Sequence, residues 1–323
     1  MAVTRPGGIP GPTLTLDRSV LTVSPGLRAT DVTLDLEARS SRGGQHTFEL
    51  PVDADLQAVA IDGRSQAIRQ EGQTVTLPLV PGAQTMQLSW RQRSGIATRF
   101  VSPAVRMGVA SVNAETRIVM PTDRWSLAFS GPRMGPAILF WSLLAVFAVF
   151  AVALGRTRWT PLRAGHWFLL GIGLTQVPIA WAAIVVGWLV AFGWRRQHVL
   201  EEEVAFNLVQ LILALWTVIA LGTLFLAIQQ GLLGLPEMQI VGNGSNAHLL
   251  RWYQDRASED LPRARVLSVP LFAYRLAMLA WALWLAQALL GWLRWSWTCF
   301  STGGLWRGHR KAAPRPVPQG PRS

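Results

Sequence analysis

The sequence is poor in cysteine, lysine and histidine. Cys299 is its one cysteine, so the chain cannot form an internal disulfide, and any domain outside a membrane must be stable through its own apolar core. Lys311 is its one lysine. His46 is the one histidine before residue 131, and no acid–histidine–serine spacing accompanies it, which favours a solvated strand position. No paired acids, nucleophile–base pair or metal-ligand set is evident, so we predict no cofactor and favour a non-enzymatic protein.

Charge is missing from long parts of the second half. Four apolar segments follow residue 135, the last with a single Arg275 inside it; they span 136–154, 167–194, 204–228 and 266–293. A helix needs about 20 apolar residues to cross a hydrocarbon core of about 30 Å. The sequence therefore predicts a membrane domain over 136–297, with the lipid bilayer as a partner.

The first half has a different pattern. Residues 13–130 contain short alternations of apolar and polar residues, separated by turn pairs such as Asp62-Gly63 and Glu71-Gly72. Alternation with period two buries one face of a strand and exposes the other to water. The predicted fold class is α+β: an antiparallel β-sandwich followed by a transmembrane bundle of about four hydrophobic segments.

Three short stretches flank these domains. Residues 1–12 (MAVTRPGGIPGP) resemble an interdomain linker and lack the apolar core of a signal peptide, which favours either a match to the C-terminal part of a longer exported protein or a start codon assigned too late. The linker 131–135 is short enough to hold the β domain close to a membrane. Residues 298–323 form a basic, proline-rich tail, whose part 307–323 we predict to be disordered and cytoplasmic.

The positions of positive residues predict an orientation. Arg156, Arg158 and Arg163 follow the first segment, which favours the cytoplasm for their loop and the periplasm for the β domain of a bacterial inner-membrane protein. The segment 167–194 is interrupted at Gln176 and Pro178. As one kinked span it leaves seven positive residues inside and eight outside, whereas as a re-entrant hairpin turning near Pro178 it leaves eleven inside and four outside. The hairpin agrees with the positive-inside rule, but both models, and a cytoplasmic β domain, stay open.

Polar residues also occur within the apolar segments. Glu203, Asn207 and Gln210 follow at steps of four and three residues, so they share one helix face. Such a face predicts hydrogen bonds between helices or, alternatively, a polar pathway through the membrane. Arg275 lies near the start of the last segment, where it either extends to the interface or pairs with Glu203 or an amide of the third segment.

The loop 229–265 carries mixed charge, and we predict that it is structured and folds back against the β domain. Gly242–Ser245 lacks the neighbours of a phosphate-binding loop. The polar and aromatic side chains of this loop are the candidates for a specific binding surface: Asn243, Ser245, Arg251, Trp252, Tyr253 and Asp255.

Four stretches carry a resemblance to a group of bacterial inner-membrane proteins of uncharacterised activity. They are GPRMGPAILFW (131–141), HWFLLGIGLTQVP (166–178), NGSNAHLLRWYQDR (243–256) and MLAWALWLAQALLGWLRW (278–295). In that group a larger β-rich N-terminal region precedes a similar multi-helix membrane end. The resemblance implies an architecture and no catalytic residues.

Three function hypotheses follow. Of the net charge of +12, nine charges arise after residue 134, mainly between and after the apolar segments, a pattern of membrane orientation rather than of nucleic-acid binding. The leading hypothesis is a scaffold or binding component of a larger envelope complex, with a protein partner. The alternative is a transport or membrane-embedded component that uses the polar intramembrane residues. The third is a membrane enzyme acting on lipid or glycan.

Overall fold

The computed structural model describes residues 14–157, 159–198 and 202–307. The predictions for 1–12, for Arg158 and for the tail beyond residue 307 concern residues outside these ranges. The chain divides into two units. The β unit combines the residues up to Leu143 with Pro236–Tyr274, and the helical unit combines Leu144–Leu235 with the residues from Arg275 onward.

The β unit contains strands from both of its stretches. The first stretch supplies β1 (Leu14–Pro25), β2 (Thr30–Ser40), β3 (Gly44–Glu49), β4 (Ala54–Ile61), β5 (Arg64–Gln66), β6 (Thr74–Leu79), β7 (Gly82–Gln92), β8 (Arg99–Val101), β9 (Ser111–Val119), β10 (Arg124–Ser130) and β11 (Ala137–Ile138). The second supplies β12 (Ile240–Val241), β13 (Leu249–Ala257) and β14 (Arg265–Pro270).

The largest sheet has seven strands in the order β13-β9-β1-β2-β7-β4-β5. Its strands form because buried and solvent-facing residues alternate: in β2, Val32, Leu34 and Leu36 face the core. Asp62 and Gly63 both have positive φ and close the hairpin between β4 and β5, as predicted for an Asp-Gly turn.

One pair of strands departs from the predicted antiparallel arrangement. β1 and β9 pair in parallel, with Val20 opposite Glu115, so the sheet is mixed. A parallel pair needs a long connection, and here the whole path from β2 to β8 provides it. Short-range alternation in the sequence carries no information about this long-range pairing.

The second stretch of the β unit completes its sheets. β13 pairs with β9 along eight residue pairs, and β14 lies between β10 and β8 in a three-stranded sheet. Residues 266–270 therefore form a strand, and the last apolar helix begins at Leu271 rather than at residue 266. One apolar core is shared by the large sheet, the β3–β6 pair and the β10–β14–β8 sheet.

Five helices follow the chain order α1 (Phe140–Gly155), α2 (Ala164–Leu174), α3 (Ile179–Gln197), α4 (Glu203–Leu233) and α5 (Leu271–Phe300). The helices α3, α4 and α5 are long and apolar enough to cross a membrane. The predicted segment 167–194 is divided between α2 and α3, because the chain turns at 175–178 and Pro178 caps the start of α3.

The long helices of the helical unit run antiparallel to their neighbours. The Trp188 indole on α3 donates to Thr217 on α4 at 2.9 Å. Gln210 on α4 donates to the carbonyl of Phe300 at the end of α5. The last turns of α3 and α5 therefore lie beside the first turns of α4, and we call this region the polar end of the unit. The last turn of α4 and the first turn of α5 lie at the opposite end, where Gly231 approaches Met278.

Candidate functional site

The predicted binding-loop residues lie mainly on β13 and are engaged within the β unit. Arg251 donates from Nε to Glu115 Oε1 on β9 at 2.7 Å. Trp252 is buried and packs edge-on against Phe129. Tyr253 donates its hydroxyl hydrogen to Asn113 Oδ1 at 2.7 Å. These side chains join the second stretch of the β unit to the first.

The turn before β13 is held in a similar way. Asn243 donates to the Met134 carbonyl at 2.8 Å, and Ser245 Oγ accepts from the Arg251 amide at 3.0 Å. Asp255 is exposed, as is Asn243. Most of the predicted binding-loop residues therefore make contacts that hold the β unit together.

Glu115 is the centre of this junction. Its carboxylate also accepts two hydrogen bonds from Arg117, each 2.8 Å long. The hydrogen bond from Arg117, joined by that from Arg251 and partly opposed by desolvation, lowers the pKa of Glu115 to about 2. The carboxylate is therefore ionised at any physiological pH.

A groove of about 760 Å³ lies elsewhere in the β unit, beside β8. Three segments line it, 49–53, 100–106 and 260–263. The Arg106 guanidinium lies 3.6 Å from Glu259 and 4.0 Å from Asp260, and all three side chains are more than half exposed. Since β8 is an edge strand of its sheet, the groove offers both backbone groups and carboxylates to a partner.

The predicted intramembrane face of α4 lies at the polar end of the helical unit. Asn207 and Arg307 exchange two hydrogen bonds: Asn207 Nδ2 donates to the Arg307 carbonyl at 2.9 Å, and the Arg307 amide donates to Asn207 Oδ1 at 3.0 Å. Gln210 is buried and donates to the Phe300 carbonyl at 2.9 Å. Gln210 thus binds a carbonyl at the end of α5, and Asn207 binds the backbone of the segment that follows it. Glu203 begins α4, one turn before Asn207.

The other predicted membrane residues lie apart from this face. Gln176 donates to the Thr175 hydroxyl in the turn between α2 and α3, and Pro178 starts α3, so neither joins Gln210. Arg275 is exposed in the first turns of α5, at the opposite end. Arg275 therefore lies far from Glu203 and does not pair with it: roughly 37 Å of helix separates Arg275 from the Phe300 end of α5.

A buried arginine at the polar end was not predicted. Arg195, near the end of α3, has no exposed surface, and its Nη2 donates to the Thr302 carbonyl at 2.9 Å. Its guanidinium carbon lies 4.6 Å from the centre of the Phe206 ring, and that of Arg307 lies 4.3 Å from the same centre. Within the described part of the chain, Arg195 Nε and Nη1 have no hydrogen-bond acceptor.

The sequence does contain a signal for this arginine. Trp188, Phe192 and Arg195 follow at helical spacing on the buried face of α3, whereas the adjacent Arg196 is exposed. Counting the two arginines only as loop charges overlooks this difference in helical phase.

An apolar cavity of about 270 Å³ opens next to the polar end. Side chains of α3, α4 and α5 line it: Phe192, Ala214, Thr217, Leu293, Ser296, Trp297 and Phe300. Ser296 Oγ is buried and finds no partner among the described residues. The cavity therefore has apolar walls with one hydroxyl available for a ligand.

Among the described residues, no three His, Cys, Asp or Glu side chains are grouped so that they could hold a metal ion.

No protein-family model and no curated protein matches the chain. Among solved structures, an M1 zinc metallopeptidase from Deinococcus radiodurans is similar at 14% identity and a TM-score of 0.29, over 37% of this chain and 35% of that one. A mutant of that enzyme bound to a Tyr-Ser-Ala substrate is similar at 12% identity with the same TM-score, over 38% and 35% of the two chains. The match spans about a third of those enzymes, and a similarity this weak carries no inference about the activity of this chain.

Proposed function

We propose that this chain is a multi-pass protein of the bacterial inner membrane whose β unit is a periplasmic, non-enzymatic binding platform in an envelope complex. The observation that carries the proposal is the construction of the β unit from two stretches separated by α1–α4. Because strands of the second stretch pair with strands of the first, the β unit folds as one body. A single folded platform suits a scaffold.

Strand pairing supports the proposed orientation. β13 shares a sheet with β9, and β14 shares one with β10, so residues 236–270 and the first stretch lie on one side of any bilayer. This arrangement disfavours the single kinked span, which requires the two stretches to lie on opposite sides. If α4 and α5 cross, Arg195, Arg196 and the end of α5 all reach the other side, as the positive-inside rule requires of a cytoplasmic end.

In this proposal the helical part 164–197 enters the membrane from the cytoplasmic side and returns to it, with α2 as a short first arm and α3 as the second arm. The 11 residues of α2 extend for roughly 16 Å, too short to cross a bilayer, whereas the 19 residues of α3 extend for roughly 28 Å. This favours the charge distribution of the re-entrant model, with a longer second arm. The bonds from Asn207 and Gln210 to the end of α5 disfavour an open polar pathway, and so the transport alternative.

The groove beside β8 is the surface proposed for the partner. Its lining contains Glu49, Asp53 and Asp260 but only two arginines, Arg106 and Arg263, so it favours a partner segment with positive charge. An extended segment can add to the edge of β8 by backbone hydrogen bonds and place basic side chains against the carboxylates.

Purification from native membranes tests this function. We expect a protein partner to stay with the chain at a constant ratio through two different chromatographic steps. The Asp260→Lys variant should lose the partner, while Asp123→Lys, which makes the same charge change outside the groove lining, should keep it. A chain that purifies alone, together with a normal envelope after gene deletion, would contradict the proposal.

A further inference from the structure

The apolar cavity and the polar end of the helical unit are neighbours on all three long helices. Phe192 lines the cavity three residues before Arg195 on α3, and Ala214 lines it four residues after Gln210 on α4. On α5, Trp297 lines the cavity five residues before Thr302, whose carbonyl accepts from Arg195. Three or four residues are one helical turn, so the two regions are about 5 Å apart along the axes of α3 and α4.

Arg195 is a buried cation whose donors are mostly unused. Its Nη2 binds the Thr302 carbonyl, but Nε and Nη1 have no acceptor within the described residues, and no described carboxylate lies within ion-pair distance of it. The Phe206 ring offers only a weak interaction through its face. A buried charged donor without an acceptor is costly, and the planar guanidinium is the side chain best matched to two phosphate oxygens.

From this arrangement we propose that the polar end binds one anionic phospholipid, with its phosphate at Arg195 and an acyl chain in the cavity. Apolar walls next to a phosphate-binding cation fit an amphiphile and offer nothing to a free inorganic ion. Ser296 Oγ, which is buried without a partner, lies in the cavity wall, where an ester carbonyl between phosphate and chain would accept its hydrogen. Basic pockets between helices at the cytoplasmic side are the usual location for anionic headgroups.

The turn that follows α5 uses one donor of Arg195 and leaves two unused. Nη2 binds the Thr302 carbonyl, and Gln210 Nε2 donates to the carbonyls of Phe300 at 2.9 Å and of Gly304 at 3.3 Å in the same turn. Nε and Nη1 have no acceptor among the described residues, so the phosphate adds to these two donors while Nη2 keeps the Thr302 carbonyl.

Native mass spectrometry of the full-length, delipidated protein in neutral detergent tests the site. Phosphatidylglycerol is the anionic probe and phosphatidylcholine the zwitterionic one. We expect phosphatidylglycerol to bind at least about tenfold more tightly, and Arg195→Met to abolish that preference. Methionine has a similar length and removes a buried charge, so the variant should fold. Arg275→Met removes an exposed arginine at the opposite end and should leave the preference unchanged.

A second variant tests the acyl-chain part without changing charge. Ala214→Phe fills the cavity and should weaken both lipids by a similar factor. Equal binding of the two lipids by the wild-type protein, or an unchanged preference in Arg195→Met, would overturn the proposal. If inorganic phosphate stabilises the protein as much as phosphatidylglycerol does, the site binds free phosphate and the lipid assignment is wrong.

Discussion

At the scale of single residues, Glu115 links the two stretches of the β unit. It accepts hydrogen bonds from Arg117 on its own strand and from Arg251 on β13, and only 11% of its side chain is exposed. Hydrogen bonds that involve a charged group contribute about 1.5–3 kcal/mol each. Removing the carboxylate leaves two guanidiniums without their partner.

We predict that Glu115→Gln lowers the free energy of unfolding by about 2 kcal/mol at neutral pH. The folded-state pKa of about 2 lies below the ordinary 4.5, so the carboxylate stabilises the fold fully above pH 4.5 and progressively less as the pH falls toward 2. The difference in melting temperature between wild type and variant, measured in detergent, should therefore shrink over that interval.

Glu37→Gln is the matched control for this change. Glu37 pairs with Arg18 at 3.3 Å, but 54% of its side chain is exposed, so its loss should cost less than about 0.5 kcal/mol. A difference for Glu115→Gln that stays constant from pH 7 to pH 2 would show that the carboxylate charge is not what stabilises the junction.

The burial of Arg195 could not be predicted from the sequence alone. The sequence places Arg195 and Arg196 together at the end of an apolar segment, and their charges alone are equivalent. In the structure the first is buried and the second exposed, because α3 presents only the face of Trp188 and Phe192 to its neighbours. Which face a helix buries depends on contacts with α4 and α5, which are distant in the sequence.

At the scale of elements, α2 and α5 meet at a glycine. A methyl group added at Gly173 would lie 1.7 Å from the Trp281 ring, whose indole donates to the Leu169 carbonyl at 2.8 Å. The absence of a side chain at Gly173 is therefore what allows this tryptophan to pack against α2.

We predict that Gly173→Ala destabilises the helical unit by about 1–3 kcal/mol, because the indole must move or its hydrogen bond must break. The melting temperature of the detergent-solubilised protein reports the change. Gly222→Ala on α4 is the control: nothing lies within 4 Å of the added methyl, and alanine favours the helix, so stability should stay equal or rise. An unchanged melting temperature for Gly173→Ala would contradict the described packing of α2 on α5.

The elements also show how much the sequence could predict. Unbroken apolar composition predicted the helical segment 204–228, which corresponds to α4, and the break near Pro178. The segment predicted from residue 266 begins instead with β14, since Val266 and Ser268 are buried between two strands that are distant in sequence. Local sequence patterns identify segments that are apolar or alternating. Which strands pair with one another depends on contacts between residues more than 100 positions apart in the sequence.

At the scale of the whole molecule, the β unit is completed only when the chain returns after α4. β14 is the central strand between β10 and β8, and β13 covers the edge of β9. The fragment 14–143 lacks both strands, so it would leave strand edges and core residues unpaired.

We predict that the fragment 14–143 expressed alone does not fold cooperatively. The same fragment ended at residue 139 and joined by a short glycine–serine linker to 236–270 should fold, because the Leu139 amide already lies 3.2 Å from the Gln239 carbonyl. Denaturant unfolding followed by circular dichroism distinguishes the two. A cooperative transition of the unextended fragment would show that β13 and β14 are accessory.

The central proposal is a topology in which the β unit faces the periplasm and the ends of α3 and α5 face the cytoplasm. Single cysteines at Asp62, in the β4–β5 turn, and at Gln197 and Leu305, beside the polar end, test it directly in a Cys299→Ala background. A membrane-impermeant maleimide added to intact spheroplasts should label the cysteine at position 62 and leave those at 197 and 305 unlabelled until the membrane is opened. Labelling of all three in intact spheroplasts would contradict the account.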